Sequence, residues 1–284
     1  MAGLLPDNAR VIDGSIRLLG RSVLACSELD LNRLRARLLA LIFQNLTTYL
    51  NPLLTVGTQI AEVFETNPGL LTPADGDRLS KRERRKRAWN MVVEHLRLVQ
   101  IPDPERVARQ YPFELSGGMQ QRAVIAMALA RRPSLVIADE ITTALDVTIQ
   151  AQILSLLAEL RRSFGMTLLL ITHDLGIVAQ LADRVAVMYS GSVVETADVA
   201  SLFDEARHPY AKALLEAVPT IQGSETVLRP IPGSIPAITN PPNGCRFHPR
   251  CPRALQDCAK TVPQPLSVGT RHTVACHLYR AAPA

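Results

Sequence analysis

The stretch Leu115–Asp146 reads LSGGMQQRAVIAMALARRPSLVIADEITTALD, and it decides the fold class. A serine and two glycines open a helix that Pro133 ends, and the apolar strand Leu135–Ala138 follows at once. This strand delivers two carboxylates, Asp139 and Glu140, to its carboxyl end. Free amides at a helix start favour an anion, and ligands collect at the carboxyl ends of parallel strands. The stretch therefore predicts a phosphate-handling site on an α/β fold.

Polar residues follow two further predicted strands. Gln44 ends the buried strand Leu38–Gln44, and His173 follows the strand Leu168–Ile171. Asp146 lies just beyond the Asp-Glu pair, where it suits a seam between subunits. Each of these residues alone more often has a structural role. The serine–glycine segment also suits a simple capped helix, and the acidic pair also suits two surface acids after a strand. Their order along the chain favours a shared nucleotide site.

The two carboxylates suit different roles beside a triphosphate. Asp139 is suited to hold Mg²⁺, usually through water. Glu140 is suited to polarise an attacking water beside the terminal phosphate. Both roles belong to ATP hydrolysis.

Buried strands alternate with helices up to about residue 218, which predicts an α/β domain with a largely parallel sheet. From Pro219 onward prolines become frequent and apolar periodicity fades, which predicts a linker and a small appended module. No apolar run approaches the ~18–20 residues that span a bilayer. The N-terminus lacks the pattern of a secretory signal. We therefore expect an intracellular chain that meets a membrane through a protein partner.

The run Lys81–Arg87 (KRERRKR) is the densest cluster of positive charge in a chain of net charge +5. Such a run contacts nucleic acid or anionic lipid in some proteins, and in most it is a solvated helix face. Aromatic residues make up only 4% of the chain, which argues against base stacking. We expect no nucleic-acid partner.

Four of the five cysteines crowd into the C-terminal module: Cys245, Cys251, Cys258 and Cys276. Four thiolates can hold a [4Fe–4S] cluster or Zn²⁺, and the absence of a paired C-x2-C spacing favours iron–sulfur. Four unligated thiols are the alternative. We expect neighbouring Arg246, Arg250 and Arg253 to donate to the cluster sulfurs or to offset its charge.

Taken together, these segments resemble an ABC transporter ATP-binding subunit over nearly the whole chain. The resemblance rests on LSGGMQQR (signature), LVIADE (Walker B), ALD (D-loop), ITHDL (switch histidine) and LIFQ (Q-loop). It implies a P-loop NTPase-like ABC domain over residues 1–218, with a helical subdomain and signature at about 45–115. The cysteine-bearing extension would span residues 219–284.

Finer features resemble the oligopeptide/dipeptide branch, which includes nickel importers. They are Leu50–Pro52, Thr55–Gly57, Thr142–Gln152, His208–Leu214 (HPYAKAL) and the cysteine tail. The branch resemblance also implies an iron–sulfur cluster in that tail.

The resemblance implies a role for each site residue. Asp139 would hold Mg²⁺, Glu140 would be the general base, and His173 would sense the γ-phosphate. Gln44 would contact Mg²⁺ or the attacking water. The residues that would bind ATP across a subunit interface are Ser116, Gly117, Gly118, Gln120 and Asp146.

The implied partners are a second ATP-binding subunit, identical or not, two transmembrane permease subunits and an extracytoplasmic substrate-binding protein. The complex would lie at the cytoplasmic membrane, with this chain on its cytoplasmic face.

One element of the family is missing from the sequence. No Gly-Lys pair exists, so the phosphate loop ending Gly-Lys-Ser/Thr is absent. Met1–Pro6 (MAGLLP) resembles the end of the helix that follows this loop, which predicts truncation by a gene-model error or a broken gene rather than a loop-free subunit. We expect the chain hardly to bind ATP alone. Ile141 replaces the usual proline, which would loosen the turn at Glu140.

The leading hypothesis is the energising subunit of a peptide importer. ABC ATPases of DNA repair or translation also carry a signature motif, but they lack the HPYAKALL phrase and the cysteine tail. A catalytically silent assembly partner is the third candidate. The cargo stays open among dipeptides, oligopeptides and nickel.

Overall fold

The computed structural model describes residues 8–43, 49–71, 79–141, 146–217, 230–237 and 239–280. The chain forms two compact units, residues 1–171 and 172–284. The predicted end of the phosphate-loop helix at Met1–Pro6 lies outside the described residues, as does Gln44.

The first unit contains a short hairpin and a parallel sheet. The hairpin strands are β1 (Arg17–Leu18) and β2 (Arg21–Ser22). The sheet strands, in spatial order, are β3 (Leu39–Ile42), β4 (Leu135–Asp139) and β5 (Thr167–Ile171). Ile42 lies opposite Ala138, and Asp139 lies opposite Ile171, so the three strands end level with one another. The predicted parallel α/β architecture is confirmed.

Six described helices surround this sheet: α1 (Glu28–Leu38), α2 (Val56–Glu65), α3 (Lys81–Leu98), α4 (Pro104–Val107), α5 (Gly117–Leu129) and α6 (Val147–Phe164). Local sequence sets their ends. Ser80 and Glu83 form a capping box at the start of α3, and Gly165 adopts φ +59° to end α6. Helix α4 is only a single turn.

The core of the first unit lies between α2, α3, α5, α6 and the sheet. The central strand β4 is buried over Val136, Ile137 and Ala138. Gly57 permits the closest approach in this core, because a Cβ there would lie 2.5 Å from the Ala108 carbonyl oxygen and 2.9 Å from the Trp89 ring. This packing holds α2 against α3 and the end of α4.

The second unit is built on an antiparallel sheet. Its strands are β6 (Arg184–Tyr189), β7 (Ser192–Asp198), β8 (Leu266–Gly269) and β9 (His272–Val274), in the spatial order β6-β7-β9-β8. Its described α-helices are α7 (Leu175–Leu181), α8 (Val199–Glu205) and α9 (Pro209–Glu216). Because β9 pairs with β7, the C-terminal strands complete a sheet that begins before residue 218.

Candidate functional site

The start of α5 carries the residues predicted to bind a phosphate. Ser116 caps the helix, since its side chain accepts a hydrogen bond from the Met119 amide at 3.3 Å. Ser116 and Gly117 are exposed, and Gly118 is half-buried. The helix start is therefore open to solvent with its first amides pointing outward, an arrangement that favours an anion.

Gln120 holds the segment in front of α5 in place. Its amide nitrogen donates to the Pro112 carbonyl oxygen at 2.8 Å and to the Leu115 carbonyl oxygen at 3.3 Å. A contact between Gln120 and nucleotide stays a prediction. The observed bonds give this residue a positioning role within its own subunit.

Gly118 is needed for helix packing as well as for access to a phosphate. A Cβ at this position would lie 2.8 Å from the Cγ2 atom of Ile149 on α6. Only glycine therefore lets the first turns of α5 and α6 come this close. The sequence indicates only a phosphate-binding role for this glycine, because its packing partner Ile149 lies 31 residues away along the chain.

Asp139 and Glu140 lie at the carboxyl end of the central strand, as predicted, and both are half-buried. The Glu140 amide donates to the Ile171 carbonyl oxygen at 2.9 Å, and its backbone has φ +46°. That left-handed conformation costs about 1–2 kcal/mol for a residue with a side chain. Ile141 is 4% exposed, so packing rather than a proline ring fixes the residue after Glu140. Strain at a proposed catalytic residue is common where the surroundings impose it.

Asp146 is the N-cap of α6. Its carboxylate accepts a hydrogen bond from the Ile149 amide at 2.9 Å. The residue is exposed, so its placement at a subunit seam stays a prediction. Its local role is to begin the helix whose first turn contacts Gly118.

His173 lies in the second unit, two residues beyond the end of β5. Asp174 follows it and caps α7 through the Gly176 amide at 2.7 Å. The structure thus confirms that His173 follows a strand end, while its γ-phosphate role stays a prediction.

The four C-terminal cysteines belong to one small module. The Cys245 amide donates to the Cys258 carbonyl oxygen at 2.8 Å. Burial, with smaller contributions from the three other thiols, raises the pKa of the Cys276 thiol to about 11. Burial also raises the pKa of Cys245 and of Cys251. Four neighbouring thiols are the type of ligand that an iron–sulfur cluster or zinc takes. The described residues nevertheless contain no group of three His, Cys, Asp or Glu side chains placed to hold a metal ion.

Two of the three arginines expected at the cysteines serve another purpose. Arg246 donates to the Ser190 carbonyl oxygen. Arg250 donates to the carbonyl oxygens of Ile231 and Pro232, each at 2.7 Å, and to the Tyr189 hydroxyl at 3.2 Å. The prediction was wrong for these residues, because their guanidinium groups donate to backbone carbonyl oxygens of the turn and the linker instead. Arg253 is close enough to lower the pKa of Cys251.

Sequence reasoning missed a buried polar cluster in the second unit, formed by Glu195, His208 and His272. The Glu195 carboxylate accepts hydrogen bonds from the Arg207 amide, the His208 amide and the His272 Nε2, each at 2.7 Å. Burial lowers the pKa of His208 to about 4, and its Nδ1 accepts from the Tyr210 amide at 3.0 Å. The HPY phrase was noticed, but nothing near it in the sequence points to Glu195.

Models of known families match residues in both units. The model described as "ABC transporter" matches residues 2–143, half of the 284 residues. The chain belongs to the ABC transporter ATP-binding proteins. The model described as "Oligopeptide/dipeptide transporter, C-terminal region" matches residues 194–258 of this ABC protein. Membership implies ATP with Mg²⁺ as ligands and an ATPase activity.

Similar proteins cover most of this ABC protein. The oligopeptide transport ATP-binding protein AppD of Bacillus subtilis is 46% identical over 273 residues, which are 96% of this chain and 79% of AppD. The dipeptide transport ATP-binding protein DppD of the same species is 44% identical, over 97% of this chain and 79% of DppD. OppD of Salmonella typhimurium is also 44% identical, over 93% of this chain and 74% of OppD.

Solved structures agree on the fold. The dimeric ATP-binding cassette MJ0796 bound to ADP and Pi has a TM-score of 0.53 at 28% identity, over 66% of this chain and 74% of that one. The structure of cbiO1 from Clostridium perfringens has a TM-score of 0.57 at 26% identity, over 72% of each chain. No described helix of the ABC protein combines the length and apolar character that crossing a bilayer needs.

Proposed function

We propose that this protein is an ATP-binding subunit of an ABC importer for dipeptides or oligopeptides, peripheral to the cytoplasmic face of the membrane. The observation that carries the proposal is the presence of both family matches on one chain. The HPY segment of the second match begins α9 and is bonded to Glu195. The relatives are named as oligopeptide and dipeptide transport proteins, which supports peptides as cargo over nickel.

The site residues divide the work of ATP hydrolysis in this proposal. Asp139 would hold Mg²⁺, which would offset the charge of the phosphates, and Glu140 takes a proton from the attacking water. His173 contacts the γ-phosphate, and Gln44 contacts Mg²⁺ or the attacking water. Ser116, Gly117, Gly118 and Gln120 bind ATP held by a second ATP-binding subunit, and Asp146 lies at the seam. Two permease subunits and an extracytoplasmic binding protein complete the importer.

Uptake in living cells tests this function. A strain lacking the ATP-binding subunit of its peptide importer, but keeping the permease and binding protein, receives the chain on a plasmid. We expect uptake of a radiolabelled tripeptide to be restored, and the Glu140→Gln variant not to restore it. Equal uptake with Glu140→Gln would indicate a catalytically silent subunit, and restored ⁶³Ni²⁺ uptake without peptide uptake would identify a nickel importer.

The nucleotide site needs a phosphate loop from outside these 284 residues. The sequence contains no Gly-Lys pair, so none of its lysines ends a glycine-rich loop that could hold the β- and γ-phosphates. Photo-crosslinking with 8-azido-ATP tests this need. We expect labelling of the chain only when an intact ATP-binding subunit is present. Labelling of the purified chain alone would contradict it.

A metal centre in the C-terminal module is a separable part of the proposal. Cys245, Cys251, Cys258 and Cys276 supply four thiolates for a [4Fe–4S] cluster, with zinc as the alternative. Anaerobic purification followed by iron, sulfide and zinc analysis distinguishes the two. We expect about four irons per chain, lost in Cys258→Ser and kept in Cys26→Ser. Stoichiometric zinc, or no metal at all, would reject the cluster.

A further inference from the structure

The first two turns of α3 carry a dense group of positive side chains. The segment Lys81–Arg87 contains six cations and one acid, and all seven residues are exposed. The rest of α3 contains one further arginine, Arg97, and no lysine. The positive charge of this helix is therefore concentrated at its start.

These seven residues form two groups around the helix. Glu83 and Arg87 are used within the chain, since Glu83 accepts from the Ser80 amide at 2.8 Å and Arg87 donates to the Leu71 carbonyl oxygen at 3.1 Å. The other five follow one another over roughly 200° of the helix circumference, at about 100° per residue. Within the described part of the chain, no hydrogen bond or ion pair involves their side chains. We call these residues the cationic arc: Lys81, Arg82, Arg84, Arg85 and Lys86.

The cationic arc lies at the unfavourable end of its helix. The start of a helix carries partial positive charge, so the helix dipole repels cations there. Lys81 and Arg85, like Arg82 and Lys86, are like-charge pairs four residues apart, and such pairs destabilise a helix. Glu83 is the acidic residue of the first turn, and its carboxylate already caps the helix. An anion from outside the chain would relieve both penalties.

One flank of the cationic arc opens into a cavity between α2 and α3. This cavity has a volume of about 580 Å³. Two acidic residues of α2 line it, and the described residues include no ion pair between them and the arc. Because two carboxylates do not balance five cations, the arc keeps an excess of positive charge. The charged and aromatic residues that line the cavity are Glu62, Glu65, Lys81, Arg84, Arg85 and Trp89.

We propose that the cationic arc binds the phosphates of an anionic phospholipid surface. Clusters of about four to eight Lys and Arg residues bind such surfaces, because the headgroup phosphates attract cations within a Debye length. Three of the five members are arginines, whose guanidinium groups can each donate two hydrogen bonds to a phosphate. The choice of a membrane as the source of phosphate rests on the proposed function, whereas the affinity of the arc for phosphate polyanions does not.

Nucleic acid is the less favourable polyanion for the cationic arc. Proteins that bind single strands stack the bases on accessible aromatic rings. Trp89 is half-buried, and its ring packs against α2, where a Cβ at Gly57 would lie 2.9 Å from it. The arc therefore offers positive charge without a stacking platform, which suits a surface of phosphates that carries no bases.

Vesicle co-sedimentation tests the proposal with the full chain and without a permease. The probes are vesicles of phosphatidylcholine alone and vesicles with about 30% phosphatidylglycerol, each in about 0.1 M and about 0.5 M salt. At the lower salt we expect binding to the anionic vesicles to be about tenfold tighter or more, and most of this difference to vanish at the higher salt. Equal binding to both vesicles, or a difference that salt does not weaken, would overturn the proposal.

Two double variants of equal net charge locate the contact. Arg82→Gln/Arg85→Gln removes two members of the cationic arc, and Arg17→Gln/Arg21→Gln removes two exposed arginines of the β1–β2 hairpin. We expect binding to the anionic vesicles to fall about tenfold in the first variant and less than about twofold in the second. Equal losses would mean that only the net charge of the chain matters, and would reject the arc.

Trp89 reports where the vesicle binds, because it is the single tryptophan of the chain and lines the cavity beside the cationic arc. We expect its fluorescence emission to change at the lipid concentration that gives half-maximal sedimentation. Phosphatidylcholine vesicles should leave the emission unchanged. Sedimentation with anionic vesicles at constant Trp89 emission would place the contact elsewhere and refute the proposal.

Competition separates a membrane from other sources of phosphate. Glycerol phosphate at about millimolar concentration should not displace the chain, because a vesicle presents many phosphates at once. Displacement would indicate a site for a soluble phosphate ester. Single-stranded RNA that binds as tightly as the vesicles, and loses binding in Arg82→Gln/Arg85→Gln, would assign the cationic arc to nucleic acid. Either result would refute the proposal.

The vesicle and uptake experiments fail independently of each other. Vesicle binding through the cationic arc without restored peptide uptake would keep the arc and count against the proposed function. Restored uptake by a chain that does not bind anionic vesicles would reject the arc and leave the proposed function standing.

Discussion

The carboxyl edge of the first sheet and the polar cluster of the second unit hold acidic side chains in opposite ways. Asp139 and Glu140 are half-buried, and Glu140 has a left-handed backbone. Glu195 is 1% exposed and accepts three hydrogen bonds at 2.7 Å, from the Arg207 and His208 amides and the His272 ring. The first arrangement leaves carboxylates accessible to a ligand, and the second uses its carboxylate entirely within the protein.

The difference separates residues that we predict to act on other molecules from residues that specify the fold. A buried carboxylate is tolerated only when its hydrogen bonds are satisfied, and removing it leaves several donors without an acceptor. A half-exposed carboxylate costs little to keep or remove. We therefore expect substitutions in the polar cluster to change stability, and substitutions at the sheet edge to change ATP hydrolysis and peptide uptake.

The largest expected effect is at Glu195. Glu195→Ala leaves the Arg207 and His208 amides and the His272 ring without their acceptor, and we expect it to lower the free energy of unfolding by about 3–5 kcal/mol. Urea denaturation followed by circular dichroism measures the loss. Glu205→Ala is the matched control, because the Glu205 side chain is 64% exposed and its ion pair with Arg207 should contribute under about 1 kcal/mol. Equal losses in the two variants would show that the buried carboxylate of Glu195 stabilises the fold no more than the exposed one of Glu205.

His208 should make stability depend on pH. Burial disfavours the charged ring, so its pKa is about 4 in the folded protein against about 6.5 for an exposed histidine, and the folded state binds fewer protons. The contribution of His208 to the free energy of unfolding is fully present above pH 6.5. It is lost as the pH drops toward 4, by up to about 3 kcal/mol. Denaturation at several pH values measures this slope.

The control for His208 is His208→Asn, whose side-chain oxygen can replace Nδ1 as the acceptor for the Tyr210 amide. We expect a shallower slope over the same pH range. An unchanged slope would assign the pH dependence to other groups, such as His95, whose pKa burial also lowers.

A smaller effect is expected at Gly118, which is both a predicted phosphate-binding residue and a packing position between α5 and α6. Gly118→Ala brings a Cβ to 2.8 Å from Ile149, and we expect a loss of about 1–3 kcal/mol in thermal or urea unfolding. Ile149→Ala removes the opposing Cγ2, so the double variant should lose less than the sum of the single variants. Strict additivity would show that packing does not explain this glycine.

The smallest effect is expected at Asp146. Asp146→Ala removes the N-cap of α6 and should cost about 1 kcal/mol, whereas Asp146→Asn keeps a capping oxygen and should be nearly neutral. Peptide uptake that falls in Asp146→Asn without a change in melting temperature would support a place for Asp146 at the subunit interface. Uptake that falls only in proportion to stability in both variants would show that Asp146 acts only as the N-cap of α6.

The sequence was informative where signals are local. The helix from Gly117, the strand at Leu135 and the strand Thr167–Ile171 were predicted within one or two residues at most ends, because capping residues and apolar runs mark them. The carboxylates at the end of β4 were predicted because a buried strand fixes where its next residue emerges.

The second unit was less predictable because its contacts are distant in sequence. His272 bonds to Glu195 across 77 residues, and the short strand β9 pairs with β7 over two residue pairs. Three-residue strands carry no periodic signal, and a glutamate in a strand is ordinarily expected at the surface. The arginines were misplaced for the same reason, since the carbonyls they bind lie 18 to 56 residues away.

The close fit between Gly118 and Ile149 also constrains both helix starts. Ser116 begins one helix and Asp146 begins the other, and the first turns of both interlock at this contact. The space between these turns has no room for a Cβ at residue 118. We therefore expect any larger residue there to displace the starts of both helices, and with them Ser116 and Asp146.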